Sequence, residues 1–199
     1  MAGDDSGDRV LQRVAWMSAL DGARPSGILE WVPPVAPVVT QAVVGAGHWA
    51  AGRRQRALAA WASAAGFALV AWGLGTEAPT RAEARKNMEQ QKDLLRERGL
   101  EVPATATGTQ TWMAGQPQAN VLSALISCVQ VVFGVRSGQR RPRRLTVRAI
   151  ADEAPLAVYF VVRAARAVQR RRPRIAAGSA LVAAGRVARL RAAAAEPLQ

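Results

Sequence analysis

The sequence predicts an all-α integral membrane protein with about three transmembrane helices, an extramembrane charged helix and an Arg-rich helical tail. Three observations carry this. Residues 57–76 are uncharged between Arg56 and Glu77, and a helix of that length, at about 1.5 Å per residue, matches a hydrocarbon core of roughly 30 Å. Two further uncharged stretches, 31–52 and 117–135, flank it. Charge is also strongly segregated: the net formal charge is +13, and residues 136–199 hold fifteen Arg against three acids. The expected order is a polar or amphipathic N-terminal segment (1–30), a transmembrane hairpin (31–76), a non-cytoplasmic charged helix and loop (77–118), a third transmembrane helix (119–135) and a basic cytoplasmic tail (136–199).

Taken in order, residues 1–30 open polar and acidic. Asp8 can cap a short helix over Arg9–Leu20, with Val10, Leu11, Val14, Met17 and Leu20 mostly on one face, ended by Asp21-Gly22. No cleavable signal peptide is expected, because the first apolar run begins only at Trp31 and is broken by proline. In that run Pro33, Pro34 and Pro37 disturb the first turn. A helix is therefore expected from Pro37, leaving about fifteen residues, short for a full crossing; a re-entrant segment is the alternative. Trp31 and Trp49 stand where interfacial aromatics do, and Gly45 and Gly47 permit close helix contact. The basic turn Gly52-Arg53-Arg54-Gln55-Arg56 forces an antiparallel hairpin. In the second helix Ser63 and Thr76 can each bond back to a helix carbonyl.

Thr80-Arg81-Ala82-Glu83 is a capping box, and its helix should run to about Arg98 and stop at Gly99. Charges of alternating sign point to a solvated surface helix, with a short pairing helix for a partner or a second copy as the alternative. Residues 102–118 read as loop, with Trp112 near the interface. The third apolar helix ends at Arg136 and carries Ser123 and Ser127 as a small-residue face. Residues 175–185 are uncharged but too few to cross a bilayer.

Charge sets the expected topology. Residues 1–30 hold three Arg against five acids, 53–56 three Arg, and 77–101 six bases against six acids. Basic residues concentrate on the cytoplasmic side of short membrane loops. Three crossings in the cell membrane, N-terminus outside and C-terminus cytoplasmic, satisfy every segment. Lysine occurs only as Lys86 and Lys92, and with abundant Ala, Gly and Val this points to the coding bias of a high-GC bacterium.

Catalysis is poorly supplied. One histidine (His48), one cysteine (Cys128), no Gly-rich phosphate loop and no metal-ligand spacing argue for a non-enzyme without cofactor or metal. His48, close to Arg53, is expected at the interface reaching water. Cys128 is expected as a small packing residue, and Gln41 and Gln130 as helix-contact or interhelical hydrogen-bonding groups. The functional signal is the arginine. Arg136, Arg140, Arg141, Arg143, Arg144 and Arg148 form one cluster, and Arg170, Arg171, Arg172 and Arg174 a second. Guanidinium groups bind phosphate bidentately and without reading sequence, so the ten are candidates for nucleic-acid or anionic-lipid binding. Expected partners are membrane lipid, DNA, and a membrane-bound partner protein or a second copy.

Residues 144–154, Arg-Leu-Thr-Val-Arg-Ala-Ile-Ala-Asp-Glu-Ala, resemble the first helix of the helix-turn-helix in TetR-type repressors. Ile150, Ala154, Leu156, Val161 and Ala164 stand where such a motif buries residues. The resemblance implies a membrane-tethered regulator. It departs from the pattern in having Pro155 at the usual Gly turn position, and Val158, Tyr159, Phe160 and Val162 where base-reading polar side chains belong. The competing reading has Pro155 start an amphipathic helix lying on the membrane. In size, hydrophobicity and charge the chain is similar to the small spread proteins of conjugative plasmids in high-GC mycelial bacteria. That likeness implies a membrane accessory protein whose tail brings DNA or a DNA-handling partner to the inner face. Three helices with a basic cytoplasmic tail also resemble the three-span holins, which would imply a pore former.

Overall fold

The computed structural model describes residues 24–97, 99, 117–140 and 147–195, which are helical with short connections and no strand. The helices are α1 (Ile28–Ala50), α2 (Arg54–Thr76), α3 (Arg81–Glu97), α4 (Pro117–Arg140), α5 (Val147–Gln169) and α6 (Pro173–Ala195). The expectations for the helix at 9–20 and for the loop around Trp112 lie outside the described residues. The chain divides into two compact units, residues 1–24 with 78–120 and residues 25–77 with 121–199.

In the first unit the capping box forms as expected. The Thr80 backbone N–H and hydroxyl donate to the Glu83 carboxylate at 2.8 and 3.0 Å, and the Glu83 N–H returns a bond to the Thr80 hydroxyl at 3.4 Å. Gly99, at φ +68°, follows the helix at the stop read from sequence. The backbone and then the hydroxyl of Thr80, with a smaller contribution from Arg24, hold the Glu83 carboxyl below the usual carboxylate range.

The second unit holds α1, α2, α5 and α6, with α4 from Val121 onward. Helix α1 departs from expectation. It begins at Ile28, passes through Pro33, Pro34 and Pro37, and reaches 23 residues. Each of the three prolines lacks the N–H of an i→i−4 bond, and the helix nevertheless continues through them; ahead of them the Ser26 N–H donates to the Glu30 carboxylate at 2.8 Å. Helices α1 and α2 are both long and apolar enough to span a membrane, and α4 contributes a shorter apolar stretch, Val121–Arg136. Ser63 and Thr76 bond back to the carbonyls of Ala59 and Trp72, each at 3.0 Å.

Antiparallel pairing of α1 and α2 is set by small-on-large contacts. A side chain at Gly45 would strike the Trp61 indole, and one at Gly75 the Trp31 ring. The turn between them is a Schellman closure with Gly52 at φ +72°: the Gly52 N–H reaches the Trp49 carbonyl and the Arg53 N–H the His48 carbonyl. The α5–α6 connection repeats that geometry with Arg171 at φ +55°, its N–H on Val168 and the next N–H on Ala167.

The closest association in the unit was not expected. Helix α6 packs antiparallel along α2 through Gly66 against Gly178, where a Cβ on either residue would lie 2.6 Å from the other's carbonyl oxygen. Seven residues along, Gly185 closes on Ala59 and Ser63, and Gly73 closes on Ile175. Seven residues are almost two turns, so these small residues share one seam and the two backbones approach closely. Residues 147–195 are thus packed helices of the same unit as 54–76. Helix α5 lies beside α6, with Phe160 on Val182 and Ala183, and Ala167 on Ile175 and Ala176. It runs unbroken through Pro155, so there is neither a helix-turn-helix turn nor a helix start at that residue. Helix α4 meets α1 where Gly134 faces Thr40, and buries Ala124 and Ser127 on the face expected to be small.

Two outcomes are expected. Gly66→Val should force α2 from α6 and lower stability by about 1–3 kcal/mol, read from denaturant unfolding in detergent. Glu83 has a lowered folded pKa, so its stabilisation of α3 is complete above the ordinary carboxylate value of 4.5 and is lost as pH falls through the folded value. Amide exchange in the first turn of α3 should rise over that acid range, and Glu83→Gln should abolish the change.

Candidate functional site

The ten candidate arginines do not form one surface. Arg174 sits at the end of α2. Its side chain donates to the Thr76 hydroxyl at 2.8 Å and stacks 4.3 Å from the centre of the Trp72 ring. The Glu77 carboxylate accepts the backbone N–H groups of Arg174 and Ile175 at 3.0 and 3.3 Å, capping α6 from 97 and 98 residues away in sequence. Arg170, Arg171 and Arg172 share that turn. Arg148 stands in the first turn of α5, at the other end of the same helix. It is 22 residues before Arg170, or roughly 33 Å at helical rise. The Arg148 end of α5 is also the end of the α1–α2 turn. Arg141, Arg143 and Arg144 lie outside the described residues. Arg136 is exposed on α4 and Arg140 closes the same helix.

A second site was not anticipated. On the level of Ser63, four helices converge on one buried ionic cluster. Glu153 of α5, with its side chain 3% exposed, accepts from Arg186 of α6 at 2.8 Å, and Arg189, one turn on, lies 3.7 Å from its other oxygen. Arg189 also donates to the Gln41 side-chain oxygen on α1 and, at 3.0 Å, to the Ser63 hydroxyl on α2. The closeness of Gly185 to Ala59 and Ser63 is what brings the Arg189 guanidinium within reach. Gln41 thus makes an interhelical hydrogen bond, one of the roles read for it, whereas Gln130 is exposed.

His48 and Cys128 differ from expectation. His48 is buried where α1 ends, its backbone carbonyl accepting the Arg53 N–H of the Schellman closure. Cys128 is exposed on α4, next in sequence to the buried Ser127 and one turn on from the buried Ala124. Among the described residues no His, Cys, Asp and Glu gather as a metal-binding group.

Sequence carried one sign of the buried cluster. Asp152 and Glu153 are the only acids between Arg136 and Ala195, and a carboxylate amid apolar helix marks a paired or functional group. Its partners could not be chosen, since Arg186 and Arg189 are two of fifteen arginines there. No protein family, curated protein or solved structure matches this chain.

Removing one partner of a buried ion pair strands the other. Glu153→Ala should therefore cost about 3–5 kcal/mol, whereas replacing Glu153 and Arg186 together by Leu and Met should cost clearly less than the sum of the single changes. A double-mutant cycle on thermal unfolding checks this.

Proposed function

We propose that this is a membrane-embedded accessory protein whose bundle is held in the bilayer and whose more basic end gathers nucleic-acid backbone at the membrane surface. One observation carries the membrane part: the bundle is inverted relative to a water-soluble protein. Its buried positions are largely alanine, glycine and serine together with Gln41, Glu153, Arg56 and Arg186, while Val39, Leu58, Trp72, Leu125, Val132, Phe133, Val158 and Val161 face outward. Water-soluble folds do the opposite with charge and large aliphatics. In lipid, small residues pack helices together and charges turn inward.

On this reading α5 and α6 lie in the bilayer beside α1 and α2, so that with α4 there are five membrane helices where three were expected. The aromatic residues agree with such a slab. Trp31 and Trp49, 18 residues apart on α1, are separated by about 27 Å at helical rise, and each stands near a rim, where Arg54 approaches the Trp49 ring at 5.7 Å and Arg174 the Trp72 ring. Arg148, together with Arg53 and Arg54, then belongs to the cytoplasmic rim, the side to which charge segregation also assigns Arg140, Arg141, Arg143 and Arg144. The Arg170–Arg174 turn belongs to the opposite one. Nucleic acid would meet only the first group.

The test is duplex DNA binding by the full chain in nanodiscs of neutral lipid, followed against salt. The expected result is an affinity that falls steeply with salt, with the log–log slope lessened by about 0.9 for each phosphate contact removed when Arg140, Arg141, Arg143 and Arg144 become Gln. Replacing Arg170, Arg171 and Arg172 by Gln should leave the slope unchanged. Binding to anionic vesicles without binding to DNA would sink the nucleic-acid reading and leave the membrane one standing.

A further inference from the structure

Several polar groups inside the apolar helices are satisfied within the chain. Thr40, Ser63, Thr76 and Ser127 donate to carbonyls one turn earlier on their own helices, at 2.8–3.0 Å, and the Gln41 amide accepts from Arg189 of α6. Gln130 of α4 is different. Its side chain is exposed and meets no hydrogen-bond partner among the described residues. Its depth follows from one contact: Gly134, a turn further on, faces Thr40, and Thr40 is midway between Trp31 and Trp49 on α1. Gln130 therefore stands about 6 Å along its helix from the middle of the slab that those tryptophans bound. In hydrocarbon, with no water at hand, a primary amide is costly until its donors and its acceptor are paired.

The stripe that carries Gln130 indicates what pairs with it. Among its described side chains α4 buries only Ala124 and Ser127. Ser123, Ile126, Gln130 and Phe133 follow at spacings of three, four and three, so they lie along one line of the helix. Ile126 is 48% exposed, Phe133 66%, and Ser123 is half-buried. This is the seam spacing of two helices packed in parallel, with a polar residue at one seam position. Copies inserted by the same charge rule share one orientation, so a two-fold axis between them runs along the membrane normal. Each residue of α4 then stands level with itself in the mate. An amide both donates and accepts. Gln130 is thus complementary to its own copy at its own depth, whereas a different protein would have to present an amide or hydroxyl at that same level.

We propose that α4 is a self-association helix: two copies of the chain pair in parallel along Ser123, Ile126, Gln130 and Phe133, and the two Gln130 amides bond to each other across the axis. Ile126 and Phe133 supply packing area on either side, and the amide pair sets the register. The inference rests on the membrane reading above and is independent of nucleic-acid binding.

The test uses the full chain in bacterial membranes, with Cys128→Ser combined in turn with Ile126→Cys, Phe133→Cys, Leu125→Cys or Val132→Cys. Each is oxidised with copper phenanthroline and sized without reductant. Ile126→Cys and Phe133→Cys should give a product of twice the chain mass. Leu125→Cys and Val132→Cys, about 100° round the helix, should not. In detergent, Gln130→Leu should raise the dimer dissociation constant, read by sedimentation equilibrium, about three- to thirtyfold, as expected for one interhelical hydrogen bond in a membrane. Gln130→Asn should recover most of that loss. An embedded chain overturns the self-pairing alone if it cross-links from all four positions alike, from none, or only to a protein of another mass. A dissociation constant unmoved by Gln130→Leu does the same. Release of the chain from the membrane by alkaline carbonate overturns the membrane reading and this inference with it.

Discussion

The contact between Gly66 and Gly178 governs most of what this molecule can do. Neither residue has a Cβ, and each stands where a Cβ would strike the carbonyl of the other, so α2 and α6 approach until their backbones touch. Dispersion and weak Cα–H···O contacts act over the whole seam at that separation. From this approach follow the capping of α6 by Glu77, the stacking of Arg174 on Trp72, and the reach of Arg189 across to Ser63 and Gln41. The seam turns a basic C-terminal segment into a wall of the bundle.

Once α6 is fixed, α5 must cover its other side, and there the composition of the interface matters. Small residues leave too little side-chain volume to make an apolar core of ordinary size, and the central level is filled by Glu153, Arg186 and Arg189. Such a junction is directional in a way that alanine packing is not. A helix rotated by a fifth of a turn would still bury methyl groups but would break the pair. The ionic cluster thereby selects the register that the glycines permit.

The same geometry separates the arginines by role. Arg148 at the start of α5 belongs to one end, those of the α5–α6 turn to the other, and the buried Arg186 and largely buried Arg189 to neither. A count of basic residues between 136 and 199 merges three environments: a rim where charge is hydrated and screened by salt, a second rim anchored by Glu77 and Trp72, and an interior where each charge needs a partner.

Much of the local structure was legible in sequence. The uncharged run 57–76 reads as a helix of membrane-spanning length because its length and its flanking charges need no tertiary information. Thr80 and Glu83 set the start of α3 and Gly99 its stop, since a cap involves only neighbouring residues. Ser123 and Ser127 mark the inward face of α4 by spacing alone. What tertiary structure decided was everything that depends on a distant helix. Helix α1 runs through Pro33 and Pro34 where local propensity said it should begin at Pro37, Pro155 sits inside α5 without breaking it, and residues 175–185, too few to cross a bilayer alone, became the first half of a longer helix. The pairing of Glu153 with Arg186 and of Gly66 with Gly178 was likewise closed to sequence. Each joins residues 33 or 112 positions apart, among many arginines and glycines that are equivalent until the chain is folded. Periodicity fixes which face a residue occupies, but only packing selects what that face meets.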